Sequence, residues 1–412
     1  MSEPLVVIGN GMAAARFVDE LSRRALGRYA VAVVGEEPRL AYNRVLLSSV
    51  LAGEVASSEI ELKPARWWRD RGVTLRYGCR ATTIDTTTRT LTLADGQSLP
   101  FSKLVFATGS QPVRPALPGM TLPGVITFRD IADIWTIWHR AGSGDRVAVI
   151  GGGLLGLEAA YGLAKAGARV TVLHLMDRLM ERQLDAPAAA MLKREVERMG
   201  IEVVLNADTA AIAGATRVEG VTLRDGCTIE ADAVVVAIGI RPSADLARDA
   251  GIAVQRGIVI DDTLETSVAG IYAIGECAEH RGICYGLVEP AYEQARALAD
   301  RLAGRDAQYA GSVLATNLKV SGVNVFSAGD FLGQAGTEEV VLSDPGTGLY
   351  KKLVVADGRL VGSVLFGDTA DGLWYLDLIR SGARIVHIRD DLAFGRAFAE
   401  RGELAPADKL AA

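Results

Sequence analysis

The chain has 412 residues, of which 49% are hydrophobic and 23% charged, with a formal net charge of −6. Its length exceeds one ordinary core and predicts about two to four domains. That hydrophobic content excludes disorder, the acidic balance excludes a generic nucleic-acid surface, and no uninterrupted apolar run reaches the roughly 18 to 20 residues that span a bilayer.

The opening "MSEPLVVIGNG" has no basic segment before its apolar stretch, so a secretory leader is not expected and a cytoplasmic location is. "LVVIGNGMAAARFVDEL" predicts a strand, a glycine turn and a helix, with Gly9, Gly11 and Ala14 forming G-x-G-x-x-A and Met12 and Ala13 opening the helix. The first glycine permits the tight turn, the second admits a pyrophosphate close to the backbone, and the small third residue lets helix pack on strand. A phosphate then meets free N–H groups at the helix N-terminus. The next strand, "YAVAVVGEE", runs to Glu36, whose carboxylate can accept both ribose hydroxyls of an adenosine. From "VTLRYGCRATTID" to "KLVFATGS" the alternating pattern predicts antiparallel strands that turn at "ADG" and end in a buried strand.

"QPVRPALPGMTLPGV", residues 111–125, predicts an interdomain crossing. Beyond it the order repeats. "VIGGGLLGLEAAYGLAKAGARVTVLHLM" carries Gly151, Gly153 and Gly156 as G-x-G-x-x-G, with Leu154 and Leu155 at the helix start, and "VEGVTLRDGCTIEADAVVVAIGIRP" repeats the hairpin and buried strand. Two such units imply two dinucleotides. The second strand ends on His174 rather than an acid: it can hydrogen-bond a ribose hydroxyl, tolerate a 2'-phosphate if protonated, or merely close the strand. Further on, "TSVAGIYAIGECA" is a strand running into an acid, and "EPAYEQARALADRLAG" is a helix stopping at Gly304. The last eighty or so residues predict hairpin strands followed by one helix, roughly an α+β domain. The fold class is therefore α/β, with two Rossmann-like three-layer dinucleotide-binding domains and a C-terminal α+β domain.

Cys79, Cys227, Cys277 and Cys284 form no C-x-x-C pair and no cluster-binding spacing, so buried or incidental thiols and no metal site are expected, although Cys277 and Cys284 are near enough in sequence to meet. No cysteine precedes Cys79, which argues against a redox-active disulfide beside a flavin.

Taken together, the glycine triplets, "VFATGS", "VVAIGIRP" and "TSVAGIYAIGECA" resemble the two-dinucleotide-fold FAD/NAD(P)H reductases of the pyridine nucleotide-disulfide oxidoreductase superfamily. "EEPRLAYNRVLLS", "LMDRLMERQLD" and "GSVLATNLKVSGVNVFSAGDF" are similar to the FAD-binding N-terminal part of the NAD(P)H-dependent nitrite reductase large subunit. The resemblance implies an FAD-binding domain over 1–112 and 242–318, an NAD(P)H-binding domain over 113–241 and a C-terminal domain over 319–412. In that family a cluster-binding segment and a siroheme half follow. This sequence ends at Ala412, so the expectation is a freestanding electron-transfer subunit. It would pass electrons from NADH through FAD to a siroheme nitrite reductase, a nitrate reductase subunit or a small iron–sulfur protein. The alternatives are a rubredoxin or ferredoxin reductase of another pathway and an NADH-sensing scaffold. Neither a nucleic-acid nor a membrane partner is implied.

Residue by residue, the resemblance implies that Glu276 faces the FAD ribityl chain where aspartate is commoner, and that Thr108 and Gly109 form a backbone turn near it. Arg44 either faces the pyrophosphate or stabilises its loop. Ser48, Ala81, Gly239 and Gly275 also belong to the implied cofactor sites, and Ser49 stands where many ferredoxin reductases carry lysine. Glu158 either orients the nicotinamide carboxamide or is an ordinary helix glutamate. Glu289 and Pro290 begin a helix whose N-terminus would stabilise negative charge on the flavin pyrimidine. Trp135 and Trp138 either shield a redox surface or pack a helix. With no arginine at the second strand's end, NADH is expected over NADPH, and Arg178 is the residue to suspect if NADPH is preferred.

Overall fold

A computed structural model describes residues 2–140, 144–320 and 322–400. It separates into two bodies: residues 1–114, 127–138 and 238–312, and residues 115–126, 139–237 and 313–412.

In the first body, strand Glu3–Ile8 is central, with Tyr29–Gly35 and Lys103–Phe106 paired parallel on either side. Thr74–Tyr77 and Ile271–Ala273 extend the sheet in parallel at its two edges. Leu5, Val7, Leu104 and Phe106 are fully buried, the continuous apolar pattern of strands covered on both faces. Helix Met12–Arg24 buries Ala14, Ala15, Phe17, Val18 and Leu21, the i, i+3, i+4 spacing of one face, and packs against helix Val288–Leu302. Ala81–Asp85, Thr90–Leu93 and Ser98–Pro100 form a small antiparallel sheet.

One expectation is corrected here. "VTLRY" was expected among the antiparallel strands, but Thr74–Tyr77 pairs parallel with Tyr29–Gly35. An edge strand half open to solvent alternates like an antiparallel one, so its pattern does not report direction.

The second body repeats this plan. Arg146–Ile150 is flanked in parallel by Arg169–Leu173 and Ala233–Val236, with Glu202–Val204 beyond the former. Thr209–Ala213, Gly220–Leu223 and Thr228–Glu230 repeat the small antiparallel sheet. The duplication read from sequence is thus present in the parallel strands, the helix after each glycine turn and the small antiparallel sheet, while the edge strand beside Ala233–Val236 is Val125–Thr127. The C-terminal residues add a five-stranded antiparallel sheet in the spatial order Ala315–Val320, Val323–Gly329, Arg359–Phe366, Leu349–Ala356, Glu338–Asp344, covered by helix Gly372–Ser381.

The body boundaries differ from the sequence-based ones at 113–114, 127–138 and 238–241, which fall with the first glycine turn, and at 313–412, which fall with the second. The cause of the difference at 127–138 is side-chain bonding that hydropathy does not register: Trp138 Nε1 donates to the Leu51 carbonyl, and Arg129 is bound to residues of the first body. Within the second body, Asp185 caps helix Ala186–Arg198 through Ala188 N–H and accepts a 2.6 Å hydrogen bond from the buried Tyr350 hydroxyl. Tyr350→Phe strips a partner from a buried carboxylate and is expected to cost about 2 kcal/mol in denaturant unfolding; a loss below roughly 0.5 kcal/mol would show that the bond contributes nothing.

Candidate functional site

The first glycine turn is built by backbone constraint. Gly9 has φ +111°, and a Cβ added there would lie well inside 3.0 Å of the Ala107 carbonyl. Its own N–H donates to Val34 O at 2.7 Å, tying the turn to the neighbouring strand. Gly11 differs: its φ is −107°, and an added Cβ would meet no protein atom within 4 Å. Helix Met12–Arg24 begins there with no side-chain cap and no acid in its first turn. Uncapped N–H groups above an open approach suit a phosphate.

Other predicted residues converge on the same place. Thr108 and Gly109 follow strand Lys103–Phe106, and the amide nitrogen of Thr108 is 3.1 Å from the Cβ position of Gly9. Gly275, at φ +79°, has its Cβ position 3.0 Å from the Ala13 Cβ, and its N–H donates to Gln294 Oε1 at 2.7 Å. Gln294 is fully buried, with Tyr309 as a further side-chain neighbour. Glu276 follows, ion-paired to Arg129 and accepting a 2.8 Å hydrogen bond from Ser110 Oγ. Arg129 Nε is buried and unpartnered. The open approach at Gly11 and the unpartnered Arg129 Nε fit a large polar cofactor such as FAD.

Glu36 stands just past strand Tyr29–Gly35, exposed, 3.9 Å from Arg80 Nε, and Ala81 begins the strand after Arg80. Ser48 lies in the short helix Leu47–Leu51, its carbonyl accepting from Ala52 N–H. Arg44 is bound to the Glu37 carboxylate and the Arg129 carbonyl and stacks over Tyr42. Glu289 sits in the first turn of helix Val288–Leu302, exposed and paired at 2.8 Å with Arg296, while Pro290 is buried and that helix also starts without a side-chain cap.

Four residues of this site escaped the sequence reading: Glu37, Ser110, Arg129 and Gln294. A signal existed for Arg129. "TFRDIAD" is a helix start in which Asp130 Oδ1 accepts from Asp133 N–H and Asp133 reaches back to Thr127 Oγ1 and Arg129 N–H. Burial, with Asp130 adding to it, pushes the Asp133 carboxyl up to about 6.

In the second turn Gly151 has φ +119°, and a Cβ on Gly156 would collide with the Gly151 carbonyl. Gly153 resembles Gly11, with nothing within 4 Å, and helix Leu154–Lys165, which opens with Leu154 and Leu155, again has no side-chain cap. Gly156→Ala is therefore expected to weaken nicotinamide dinucleotide binding at least about tenfold by forcing helix and turn apart, measured by calorimetry; unchanged affinity would refute the close-packing role. Glu158, one turn into the helix, keeps some exposed surface, yet burial alone pushes its carboxyl up to about 8. His174 is buried and hydrogen-bonded to Gly152 and Glu181. Gly239 lies in the first body, at φ +126°, accepting from Val113 N–H.

Trp135 and Trp138 form an edge-on pair with centroids 5.1 Å apart and are part-exposed, on the same helix as the buried Ile131, Ile134 and Ile137. All four cysteines are free. Among the described residues no group of three or more His, Cys, Asp or Glu could hold a metal ion, and no helix is long and apolar enough to cross a membrane.

A family model described as pyridine nucleotide-disulphide oxidoreductase matches residues 3–298, and one described as rubredoxin NAD+ reductase C-terminal domain matches residues 315–383. The chain is 44% identical over 382 residues to an NAD(P)H nitrite reductase of Bacillus subtilis (strain 168), covering 92% of this chain and 48% of that one. It is 41% identical over 374 residues to the assimilatory nitrate reductase electron transfer subunit of the same organism, covering 90% and 48%. The chain thus spans about half the length of these curated relatives. Among solved structures, the ferredoxin reductase for the CYP199A2 system of Rhodopseudomonas palustris superposes with a TM-score of 0.84 at 26% identity, over 93% of this chain and 100% of that one.

Proposed function

The chain belongs to the pyridine nucleotide-disulphide oxidoreductase family, FAD-dependent oxidoreductases of NAD(P)H, and from that membership we propose that it carries electrons from NADH to a partner redox protein serving assimilatory nitrite or nitrate reduction in the cytoplasm. The observation that carries this reading is the similarity to nitrite and nitrate reductase relatives over nine-tenths of the chain. FAD, when bound, takes two electrons as hydride and can release them singly, which suits a link between NADH and one-electron centres.

In this reading the N–H groups of Gly11, Met12 and Ala13 bind the FAD pyrophosphate, and Glu36 accepts the ribose hydroxyls of its adenosine. Arg129 and Ser110 hold the Glu276 carboxylate toward the ribityl hydroxyls. Gly153, Leu154 and Leu155 receive the dinucleotide phosphates of NADH at the second helix start. Glu158, neutral at pH 7, donates a hydrogen bond to the nicotinamide carboxamide. Helix Val288–Leu302, with Glu289 and Pro290 in its first turn, favours negative charge on the reduced flavin through its uncapped N-terminus.

A second reading, reduction of a rubredoxin- or ferredoxin-type protein in another pathway, is favoured by the match of residues 315–383 to the rubredoxin NAD+ reductase C-terminal domain. Stopped-flow mixing of the flavin-loaded protein with NADH, then with each candidate acceptor, separates the two. The expected result is bleaching by NADH and rapid reoxidation by a siroheme nitrite reductase or a nitrate reductase. Reoxidation only by a small iron–sulfur protein that does not serve nitrite or nitrate reduction would establish the second reading, and slow reoxidation by every acceptor would leave an NADH-sensing scaffold.

A further inference from the structure

His174 stands just past strand Arg169–Leu173 of the second unit, where a ribose-binding acid is sought, and its surroundings show how the position could still serve a ribose. The imidazole is buried, with 7% of its residue surface exposed. Its Nδ1 accepts the Gly152 N–H at 3.0 Å, so the ring's proton sits on Nε2. That nitrogen lies 3.1 Å from Glu181 Oε2 and donates to it.

The approach depends on Gly152, the middle residue of the glycine turn. A Cβ there would lie 2.7 Å from His174 Cγ and 2.6 Å from Leu179 Cδ2. The segment after the strand folds back over the turn: Met180, buried and held at φ +51°, donates its N–H to the Gly152 carbonyl at 3.0 Å. Gly152 is thus gripped on both sides of its backbone by the segment that carries Glu181. The carboxylate stands partly exposed beyond the imidazole, with its Oε1 only 3.8 Å from the largely solvated Arg182. Asp177, an earlier acid of the same segment, pairs with Arg178 instead. Leu175 and Met176 leave exposed apolar surface just past the strand, suited to the flat face of an adenine.

We propose that Glu181 is the specificity-determining residue of the second unit: its carboxylate accepts the adenosine ribose hydroxyls of NADH and repels a 2'-phosphate, with His174 as the residue that positions it. This rests on the nicotinamide-binding role of that unit. The missing strand-end acid is then not missing but carried seven residues further on and returned through an imidazole. A carboxylate can accept from both ribose hydroxyls, whereas beside the dianionic 2'-phosphate of NADPH it is a like charge.

Calorimetric titration of the flavin-loaded protein with ADP-ribose and with 2'-phospho-ADP-ribose tests this without reference to turnover. The wild-type protein is expected to bind ADP-ribose the more tightly. Glu181→Gln keeps an acceptor for the His174 Nε2–H, so its Tm should be unchanged. It should weaken ADP-ribose about tenfold while leaving 2'-phospho-ADP-ribose within about twofold or tighter. His174→Gln should lower the same affinity ratio, and the two substitutions together should do no more than Glu181→Gln alone. Equal weakening of both ligands, or ADP-ribose affinity within twofold of wild type in Glu181→Gln, would overturn the assignment of Glu181. Failure of the wild-type protein to bind either ligand would instead overturn the nicotinamide-binding role on which the assignment rests.

Discussion

Gly9→Ala is expected to yield a protein that unfolds several degrees lower and retains little flavin, whereas Gly11→Val is expected to keep its fold and lose flavin alone. The contrast follows from two backbones in one turn. At Gly9 the φ of +111° is closed to L side chains, and the new Cβ would press on the Ala107 carbonyl, backbone that cannot swing aside. Relief means moving the strand end or the start of helix Met12–Arg24, at a cost of about 3 kcal/mol or more. At Gly11 the φ of −107° suits a β-branched residue, and no protein atom lies within 4 Å of the added carbon. A valine there occupies only the space through which a pyrophosphate would approach the N–H groups. Thermal unfolding of the flavin-free proteins and flavin retained per chain separate the effects. Equal flavin content in Gly11→Val and wild type would mean that the cofactor does not lie on this turn.

The same contrast marks what the sequence could disclose. Gly9, Gly151 and the strand ends were legible because each requirement is local: a left-handed φ, a close helix and an acid at a fixed offset leave their signature within about thirty residues. The internal duplication was legible because each unit repeats the whole sequence of such signals. What stayed hidden depends on distant partners. Arg129 and Glu276 are separated by 147 positions, and Ser110 and Glu276 by 166. No periodicity links them, although both ends were available: the acid after "YAIG" was recognised and the arginine was not. Arg44 was recognised for its charge, but its neutralisation by Glu37 was not. The direction of Thr74–Tyr77 was misread because a half-exposed edge strand shows alternation whichever way it runs. His174 is the intermediate case: the anomaly was visible in sequence, while Glu181, which accepts from it, lies just beyond the window in which an acid is sought.

Glu158 carries the second large expected effect. Reduction of the bound flavin by NADH should slow as pH rises through about 8, become independent of pH over that range in Glu158→Gln, and run about tenfold slower throughout in Glu158→Ala. The sign follows from burial. The carboxyl sits well above its ordinary value of 4.5, so the fold favours the neutral acid. This group's contribution to stability is whole below about 4.5 and is lost as pH rises through about 8. At pH 7 it is chiefly a hydrogen-bond donor, able to hold a carboxamide oxygen; above 8 it becomes a buried charge without a donor to give. Glutamine keeps a donor of nearly the same reach at every pH, hence the flat profile at near wild-type rate, and alanine keeps none. Stability offers an independent check. Glu158→Gln should match wild type in Tm at pH 5 and exceed it at pH 9, where only the wild-type protein must bury an ionised carboxylate. A wild-type pH break that persists unchanged in Glu158→Gln would assign the titration to another group and return Glu158 to an ordinary helix position.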